Sequence, residues 1–228
     1  MKKAMLKYLP VSFIALLIII GSGASLSVVW GAQKFSFTTL NMILPLLGAV
    51  CGLGQSLLLT GLLFAGKLAF KGTLLTYGIP SLCATASMAT QTKHNHYKIL
   101  NFALHVLLPL TCMILFTLHP VGQKAFVYSW YWLIPVGIWG IRSYGSKHVS
   151  FFFTALSSTF VAHAVGSIIW LYSVPMTATQ WIRLLPIVAI ERLVFASGST
   201  LVYFVIPYTF CRRKIVVNYL GFLNFSKR

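Results

Sequence analysis

Glu191 and Arg192 are the residues of this sequence best suited to chemistry, because they lie side by side within the apolar stretch 184–210. Glu191 is also the one acidic residue among 228, against 18 Lys and Arg. His163 lies in the preceding apolar stretch, 149–172. If these stretches are antiparallel helices joined by a short loop, a rise of about 1.5 Å per residue places His163 and Glu191 at similar depths. Ionisable groups in such helices face the protein interior and mark candidate functional sites.

The three side chains are compatible with a binding site or with an internal network. In the first case Arg192 holds an anionic group of a solute, while Glu191 orients Arg192 or titrates. In the second, a Glu–Arg–His network locks two helices together; a partly hydrated ion pair at the interface is a third reading. Adjacent helical residues point about 100° apart, so Glu191 and Arg192 need not pair, and either can turn to His163.

The sequence contains few of the residues that catalysis or metal binding would need. A chain with one acidic residue lacks paired carboxylates, and the sequence has neither a His-Glu-x-x-His helix nor a Gly-rich phosphate loop. We therefore expect no enzyme, no ATPase, no bound metal and no cofactor. His105 is expected to be a hydrogen-bonded core residue, with haem ligation by His105 and His163 as a weaker alternative.

The composition is that of a membrane protein. Hydrophobic residues make up 58% and charged residues 8%, and the mean hydropathy is +0.85, whereas soluble domains contain about 25% charged residues. The net charge of +17 comes from bases scattered between apolar stretches, which indicates loops facing anionic lipid. We expect one integral membrane domain, 1–228, with the lipid bilayer and no nucleic acid as a partner.

Seven apolar segments are candidate membrane spans. The segment 73–90 is the weakest, because Gly78, Pro80 and several hydroxyl residues dilute it. The first segment is preceded by a basic stretch like that of a signal peptide, but it is long enough to favour a retained span over cleavage of 1–24. The seven segments are 10–30, 41–70, 73–90, 100–118, 126–141, 149–172 and 184–210.

Positive charge favours six spans. Lys and Arg in short loops stay on the cytoplasmic side. Seven spans with the N-terminus inside place seven bases inside and ten outside. If 73–90 does not cross, fourteen lie inside and three outside, namely Lys34, Lys124 and Arg183. We therefore predict an all-α, polytopic transmembrane helix bundle with six spans, both termini cytoplasmic, and 73–90 as a re-entrant or protein-buried segment; seven spans are the alternative.

Small residues at helical spacing predict close helix packing. Gly48 and Gly52 form one such pair, and Ser158, Ala162 and Gly166 form another set. Small residues let helix backbones approach closely where lipid gives no hydrophobic drive.

In layout, the chain resembles the substrate-binding S components of energy-coupling-factor vitamin transporters. The segment Asn41-Met-Ile-Leu-Pro-Leu-Leu-Gly-Ala-Val-Cys-Gly52 is similar to their second span, and 181–206 is similar to an exterior loop that enters a final span. The resemblance implies an exterior-facing pocket for a vitamin or micronutrient and partnership with energising transporter subunits. The chain differs from these proteins in its additional segment 73–90.

Taken together, these features predict a multi-pass protein of the cell membrane that transports a small solute, or a transporter subunit without its own ATPase. Glu191, Arg192 and His163 are the predicted substrate-binding residues. A non-catalytic membrane scaffold or assembly factor is the alternative, and a membrane haem or quinone protein is a weaker one.

Overall fold

The computed structural model of the protein describes residues 25–30, 33–65, 74–92, 96–141 and 146–225. Apart from one short β-ribbon, this part of the chain is helical, which confirms the predicted helical class. In chain order the elements are β1 Ser25–Trp30, β2 Gln33–Thr38, α1 Leu40–Cys51, α2 Leu53–Ala65, a π-helical turn Leu74–Gly78, α3 Ile79–Thr92, α4 Lys98–Leu118, α5 Pro120–Lys124, a 3-10 helix Phe126–Trp132, α6 Leu133–Gly140, α7 Lys147–Ser173 and α8 Ala178–Phe225.

The ribbon formed by β1 and β2 corrects part of the predicted first span. The strands are antiparallel, with Ser25 opposite Thr38 and Trp30 opposite Gln33. Their sequences alternate polar and apolar residues over much of their length, and this period of two favours a strand over a helix. Residues 25–30 are therefore not helical, and the rest of that predicted span, 10–24, lies outside the described residues, as does the cleavage of 1–24.

The predicted second span, 41–70, is wrong as a single helix. α1 ends at Cys51 and α2 begins at Leu53, and Gly52 between them has a φ of 78°. This left-handed conformation carries no steric cost for glycine, which has no Cβ, and it ends α1.

α1 and α2 form a helical hairpin. Phe64, close to the end of α2, belongs to one buried cluster with Leu40 and Leu44, which lie at the start of α1. The two helices are therefore antiparallel. With 12 and 13 residues each is about 18 to 20 Å long, which is shorter than a hydrocarbon core of about 30 Å.

α3, which contains most of the predicted weak segment 73–90, lies at the centre of the bundle. Nine of its 14 residues are buried, which confirms that the segment is protein-buried. Thr85 Oγ1 donates to the Ser81 carbonyl of its own helix at 2.8 Å and lies 3.4 Å from the Leu44 carbonyl of α1, and Ser158 Oγ of α7 donates to the Ala84 carbonyl at 2.8 Å. The hydroxyl residues that make this segment a poor lipid-facing span thus bond to backbone inside the protein.

Small residues set the closest helix contacts. Gly48 of α1 lies so close to the backbone of Thr85 and Ala89 that a Cβ at this position would overlap Thr85 O. Gly166 of α7 lies 3.5 Å from the Pro80 ring, measured from the place where a Cβ would be. Packing at Gly48 and Gly166 is therefore as predicted, whereas Gly52 serves to reverse the chain.

These contacts also fix the direction of α3. It runs parallel to α1, because Leu44 and then Gly48 meet successive turns of α3 around Thr85 and Ala89. It runs antiparallel to α7, because Pro80 lies beside Gly166 and Ala84 beside Ser158. α3 therefore starts at the end of the bundle where α7 and α8 are joined, and it ends at the opposite end.

Three helices within the described residues are long and apolar enough to cross a membrane: Lys98–Leu118, Lys147–Ser173 and the Ala178–Val205 part of α8. They coincide with the predicted spans 100–118, 149–172 and 184–210. The predicted span 126–141 consists instead of the 3-10 helix followed by α6.

Candidate functional site

A partly enclosed cavity of about 560 Å³ lies between α1, α3, α7 and α8. The three residues singled out from the sequence, His163, Glu191 and Arg192, all line it. Met176 of the α7–α8 loop also lines it, so the cavity lies toward the end of the bundle at which these two helices are joined.

α7 and α8 supply most of the polar wall, each from one face. The α7 residues at the cavity recur every three or four positions, as one side of a helix requires: Thr159, Ala162, His163, Gly166, Ser167 and Trp170. On α8, Trp181, Leu184, Val188 and Arg192 follow the same spacing. Two antiparallel helices therefore bring residues 29 positions apart, His163 and Arg192, to one cavity.

Glu191 and Arg192 pair with each other. Arg192 Nη2 donates to Glu191 Oε2 at 2.7 Å, and the side chains are only 12% exposed for Arg192 and 9% exposed for Glu191. Arg192 Nη1 also donates to the Thr159 carbonyl of α7 at 3.3 Å. The sequence did not decide whether Glu191 and Arg192 pair, and in the structure they do. Pairing avoids an unpaired charge, which at this burial costs several kcal/mol.

His163 is the third predicted site residue, and it packs among aromatic rings. Its ring centroid lies 5.4 Å from that of Tyr128 and 6.3 Å from that of Phe160. Its Nε2 atom is buried and has no hydrogen-bond partner. This nitrogen therefore makes no bond to the Glu191–Arg192 pair.

Trp181 and Tyr128 were not assigned to the site from the sequence. Both line the cavity and are 2% exposed, with ring centroids 4.8 Å apart. Phe116 of α4 packs against both, with ring centroids 5.8 Å from Tyr128 and 5.4 Å from Trp181. The helical spacing of Trp181 and Arg192 places both on one face of α8, and this spacing in the sequence could have indicated Trp181 as a site residue. Tyr128 reaches the cavity from the 3-10 helix, which the sequence did not predict.

Three buried nitrogen atoms of cavity-lining side chains have no hydrogen-bond partner: His163 Nε2, Trp181 Nε1 and Arg192 Nε. The Trp and Arg atoms carry an N–H that can only donate. Buried polar atoms without partners are rare in proteins, and a cluster of them at one cavity calls for an explanation.

A second polar cluster lies away from this cavity. His105 is fully buried, and its Nδ1 donates to the Asn101 carbonyl at 2.8 Å, which leaves Nε2 to accept from Ser87 Oγ at 2.6 Å. The predicted hydrogen-bonded core histidine is confirmed. Ser87 is also fully buried and does not line the cavity, so the Ser87–His105 pair joins α3 to α4 inside the core.

In the described part of the chain, no three His, Cys, Asp or Glu side chains are grouped as they would be to hold a metal ion. Comparison of the chain with protein-family models, with curated protein sequences and with solved structures finds no match. The resemblance to S components therefore stays a prediction, and function has to be argued from the cavity.

Proposed function

We propose that the protein binds a small solute in the cavity between α1, α3, α7 and α8, and that it works as a membrane transport protein or a transporter subunit. One observation carries the proposal: the Glu191–Arg192 ion pair and His163 line one cavity whose other walls are largely apolar. A few polar groups in a mostly apolar cavity are what orients a bound small molecule. A volume of about 560 Å³ falls within the range of small-molecule sites, roughly 300 to 1,000 Å³.

Transport by this protein requires energy from elsewhere. The sequence has no Gly-rich phosphate loop, so we propose that an ion gradient or energising transporter subunits drive the movement. A vitamin or micronutrient is the solute class that the resemblance to S components implies. No catalytic step is part of this proposal.

We further propose that the chain crosses the cell membrane six times, with both termini cytoplasmic. In this arrangement 74–92 crosses the membrane in place of the predicted span 41–70. The stretch 74–92 rises about 28 Å and makes a full crossing, whereas the α1–α2 hairpin enters and returns. The predicted first span, of which 10–24 lie outside the described residues, is kept as the first crossing. Counting Lys67 and Lys71 as exterior then leaves twelve bases inside and five outside, which still agrees with the positive-inside rule.

A thermal-stability screen tests the binding function. Purified protein is heated with vitamins, metal ions or small anions, because a ligand that binds the native state at 100 times its Kd stabilises it by about 2.7 kcal/mol. We expect at least one organic solute to raise the Tm, and the rise to be lost in the double variant Glu191→Gln/Arg192→Gln. Arg183→Gln is the matched control, because Arg183 is an exposed α8 residue that does not line the cavity.

A scaffold or assembly role is the second candidate, and one observation favours it. Glu191 and the Thr159 carbonyl already bind two of the three guanidinium nitrogens of Arg192, so this group links α7 to α8 without a ligand. On this reading the double variant has a lower Tm, but no solute raises the Tm of either protein. Uptake into cells that is unchanged in the double variant would reject the transport site.

A haem or quinone function has less support. Both ring nitrogens of His105 are engaged by Ser87 and Asn101, which leaves neither free for iron in this structure. The absorption spectrum of the purified protein tests this directly, since a haem protein has strong bands in the visible range.

A further inference from the structure

One oxygen of the Glu191 carboxylate remains open at the cavity. Arg192 Nη2 binds Oε2, whereas Oε1 has no partner among the described residues. Oε1 is not fully buried, in contrast to the unpartnered nitrogens of His163, Trp181 and Arg192. An ionised carboxylate oxygen only accepts hydrogen bonds. A solute group that contacts Glu191 Oε1 is therefore a hydrogen-bond donor.

The hydroxyl groups of the cavity wall also have acceptor capacity left. Ser81 Oγ donates to the Tyr77 carbonyl at 2.7 Å, and Thr159 Oγ1 donates to the Leu156 carbonyl at 2.8 Å. Each hydroxyl has one proton, so once it is donated only the lone pairs of the oxygen remain. Asn41 adds a partly exposed side-chain amide that makes no hydrogen bond within the described residues and can accept as well as donate. The polar part of the wall thus favours a solute with hydrogen-bond donors.

The charges at the cavity cancel. Glu191 and Arg192 form an ion pair, and no other Asp, Glu, Lys or Arg among the described residues lines the cavity. A charged solute would lose its hydration there and would meet a like charge beside the opposite one, which is strongly unfavourable in an apolar enclosure. A neutral N–H or O–H group avoids this cost. It still gains a charge-assisted hydrogen bond to the carboxylate, which is roughly twice as strong as a bond between neutral groups.

The rest of the wall is largely apolar. Its aromatic residues are Tyr77, Tyr128, Trp170 and Trp181, and its aliphatic residues include Leu184 and Val188. A cavity of about 560 Å³ has room for far more than one polar group. Small-molecule sites of this kind combine a mostly apolar surface with a few polar groups that orient the ligand. The part of the solute that lies away from Glu191 is therefore apolar.

Building on the proposed solute-binding function, we propose that the solute is a neutral molecule with an apolar body and at least one N–H or O–H donor, of which a carboxamide is the simplest type. Its donor binds Glu191 Oε1, and its body lies among the aromatic and aliphatic side chains. Arg192 is a positioning residue that holds the Glu191 carboxylate and balances its charge. The site therefore selects against both acids and amines.

Probes built on one scaffold test this inference. Dissociation constants and Tm shifts are measured at neutral pH for purified protein with N-methyl-3-phenylpropanamide, methyl 3-phenylpropionate, 3-phenylpropionate, 3-phenylpropylamine and N-methylpropanamide. The ester has nearly the shape of the first amide but lacks its N–H, and the last amide lacks the ring. We expect N-methyl-3-phenylpropanamide to bind about tenfold or more tightly than each of the others.

Each comparison can overturn one part of the proposal. Equal or tighter binding of the acid or the amine would overturn the neutral solute, that of the ester would overturn the donor, and that of N-methylpropanamide would overturn the apolar body. If no probe binds while a solute of the wider thermal screen does, the inference is wrong and solute binding stands. If no solute of either set binds, the proposed function fails with it.

Single substitutions in the ion pair give a readout that a purely structural role would not change. Glu191→Gln leaves the cavity with a net positive charge, and Arg192→Gln leaves it with a net negative charge. We expect the first to shift the preference from the amide toward the acid and the second toward the amine, each by about tenfold.

Arg183→Gln is the matched control, because it removes one positive charge from an exposed position that does not line the cavity. We expect it to leave the order of affinities unchanged. An unchanged order in Glu191→Gln and Arg192→Gln as well would overturn the role of the ion pair in selection. Where one of these variants does not fold, the probe series on the unsubstituted protein decides.

Discussion

Arg192 is the residue on which the chemistry of the cavity depends most. It lies within an apolar helix, yet its guanidinium is bound by a carboxylate on its own helix and by a carbonyl on α7. Its Cζ atom also lies 5.4 Å from the centroid of the Phe195 ring, a cation–π contact. These contacts hold the charge in one place and make Arg192 a link between α7 and α8.

The Glu191–Arg192 pair predicts a strongly non-additive response to substitution. Arg192→Gln leaves the Glu191 carboxylate buried without its partner, and we expect a loss of about 3 to 5 kcal/mol in the free energy of unfolding. The double variant Glu191→Gln/Arg192→Gln should lose less than the Arg192→Gln single variant, because no charge remains unpaired. Denaturant titration of the purified protein measures both, and equal or greater loss in the double variant would contradict the pairing.

The Ser87–His105 hydrogen bond predicts a second effect on stability. Ser87→Ala leaves His105 Nε2 buried without its Ser87 partner, and we expect a loss of about 1 to 3 kcal/mol. Thr117→Ala is the control, because the Thr117 hydroxyl is exposed and bonds within its own helix. Thermal melts compare the two variants, and similar Tm values for both would count against a structural role for the pair.

Among the secondary-structure elements, the α1–α2 hairpin and α3 decide how the bundle is built. α3 carries many small polar residues and is surrounded by α1, α2 and α7, while the more apolar α1 and α2 form a hairpin of two short helices. Hydropathy therefore favours α1 and α2 over α3 as membrane spans, although α3 is the helix that packs at the centre of the bundle. The small residues of α1 let α3 approach closely, and α3 in turn lines the cavity with Pro80, Ser81 and Ala84.

Two glycines of the hairpin provide a matched test of this packing. A Cβ at Gly48 would overlap the Thr85 carbonyl, so Gly48→Ala should destabilise the protein by about 1 to 3 kcal/mol. At Gly61 of α2 a Cβ meets nothing within 4 Å. Gly61→Ala should therefore be neutral or stabilising by up to about 1 kcal/mol, because alanine favours a helix. Unfolding measurements on both variants decide the point, and equal losses would contradict the close approach of α1 and α3.

On the scale of the whole molecule, the arrangement places the cavity at one end of the bundle. The start of α3, the loop between α7 and α8, and the side chains of Tyr77 and Met176 share that end. If this end faces the exterior, as the distribution of positive charge favours, the cavity opens to the outside and Arg192 lies part of the way through the bilayer.

Cysteine accessibility tests this topology. In a variant without the four native cysteines, single cysteines replace Tyr77, Thr177 or His96, and intact cells are treated with a membrane-impermeant maleimide. We expect labelling at 77 and 177 from the outside and at 96 only after the membrane is permeabilised. Labelling of 77 and 96 from the same side would restore the arrangement in which 73–90 does not cross.

Much of the helical part of the fold could be predicted from the sequence. The segments 100–118, 149–172 and 184–210 are long and uniformly apolar, so length and hydropathy suffice to identify them. The hairpin was missed because Gly52 interrupts an otherwise continuous apolar run, and a single glycine in such a run also occurs within helices. The strands were missed because their alternation is short and adjoins an apolar stretch.

The site was predicted in part, for a related reason. Charged residues in apolar helices are costly, so the sequence by itself determined that Glu191, Arg192 and His163 belong inside the protein and at similar depth. Only the tertiary structure decided that Glu191 and Arg192 pair with each other, that His163 keeps a nitrogen without a partner, and that Trp181 and Tyr128 join them. Such contacts depend on which helix faces meet and in which rotamers, and hydropathy along one chain contains no information about either.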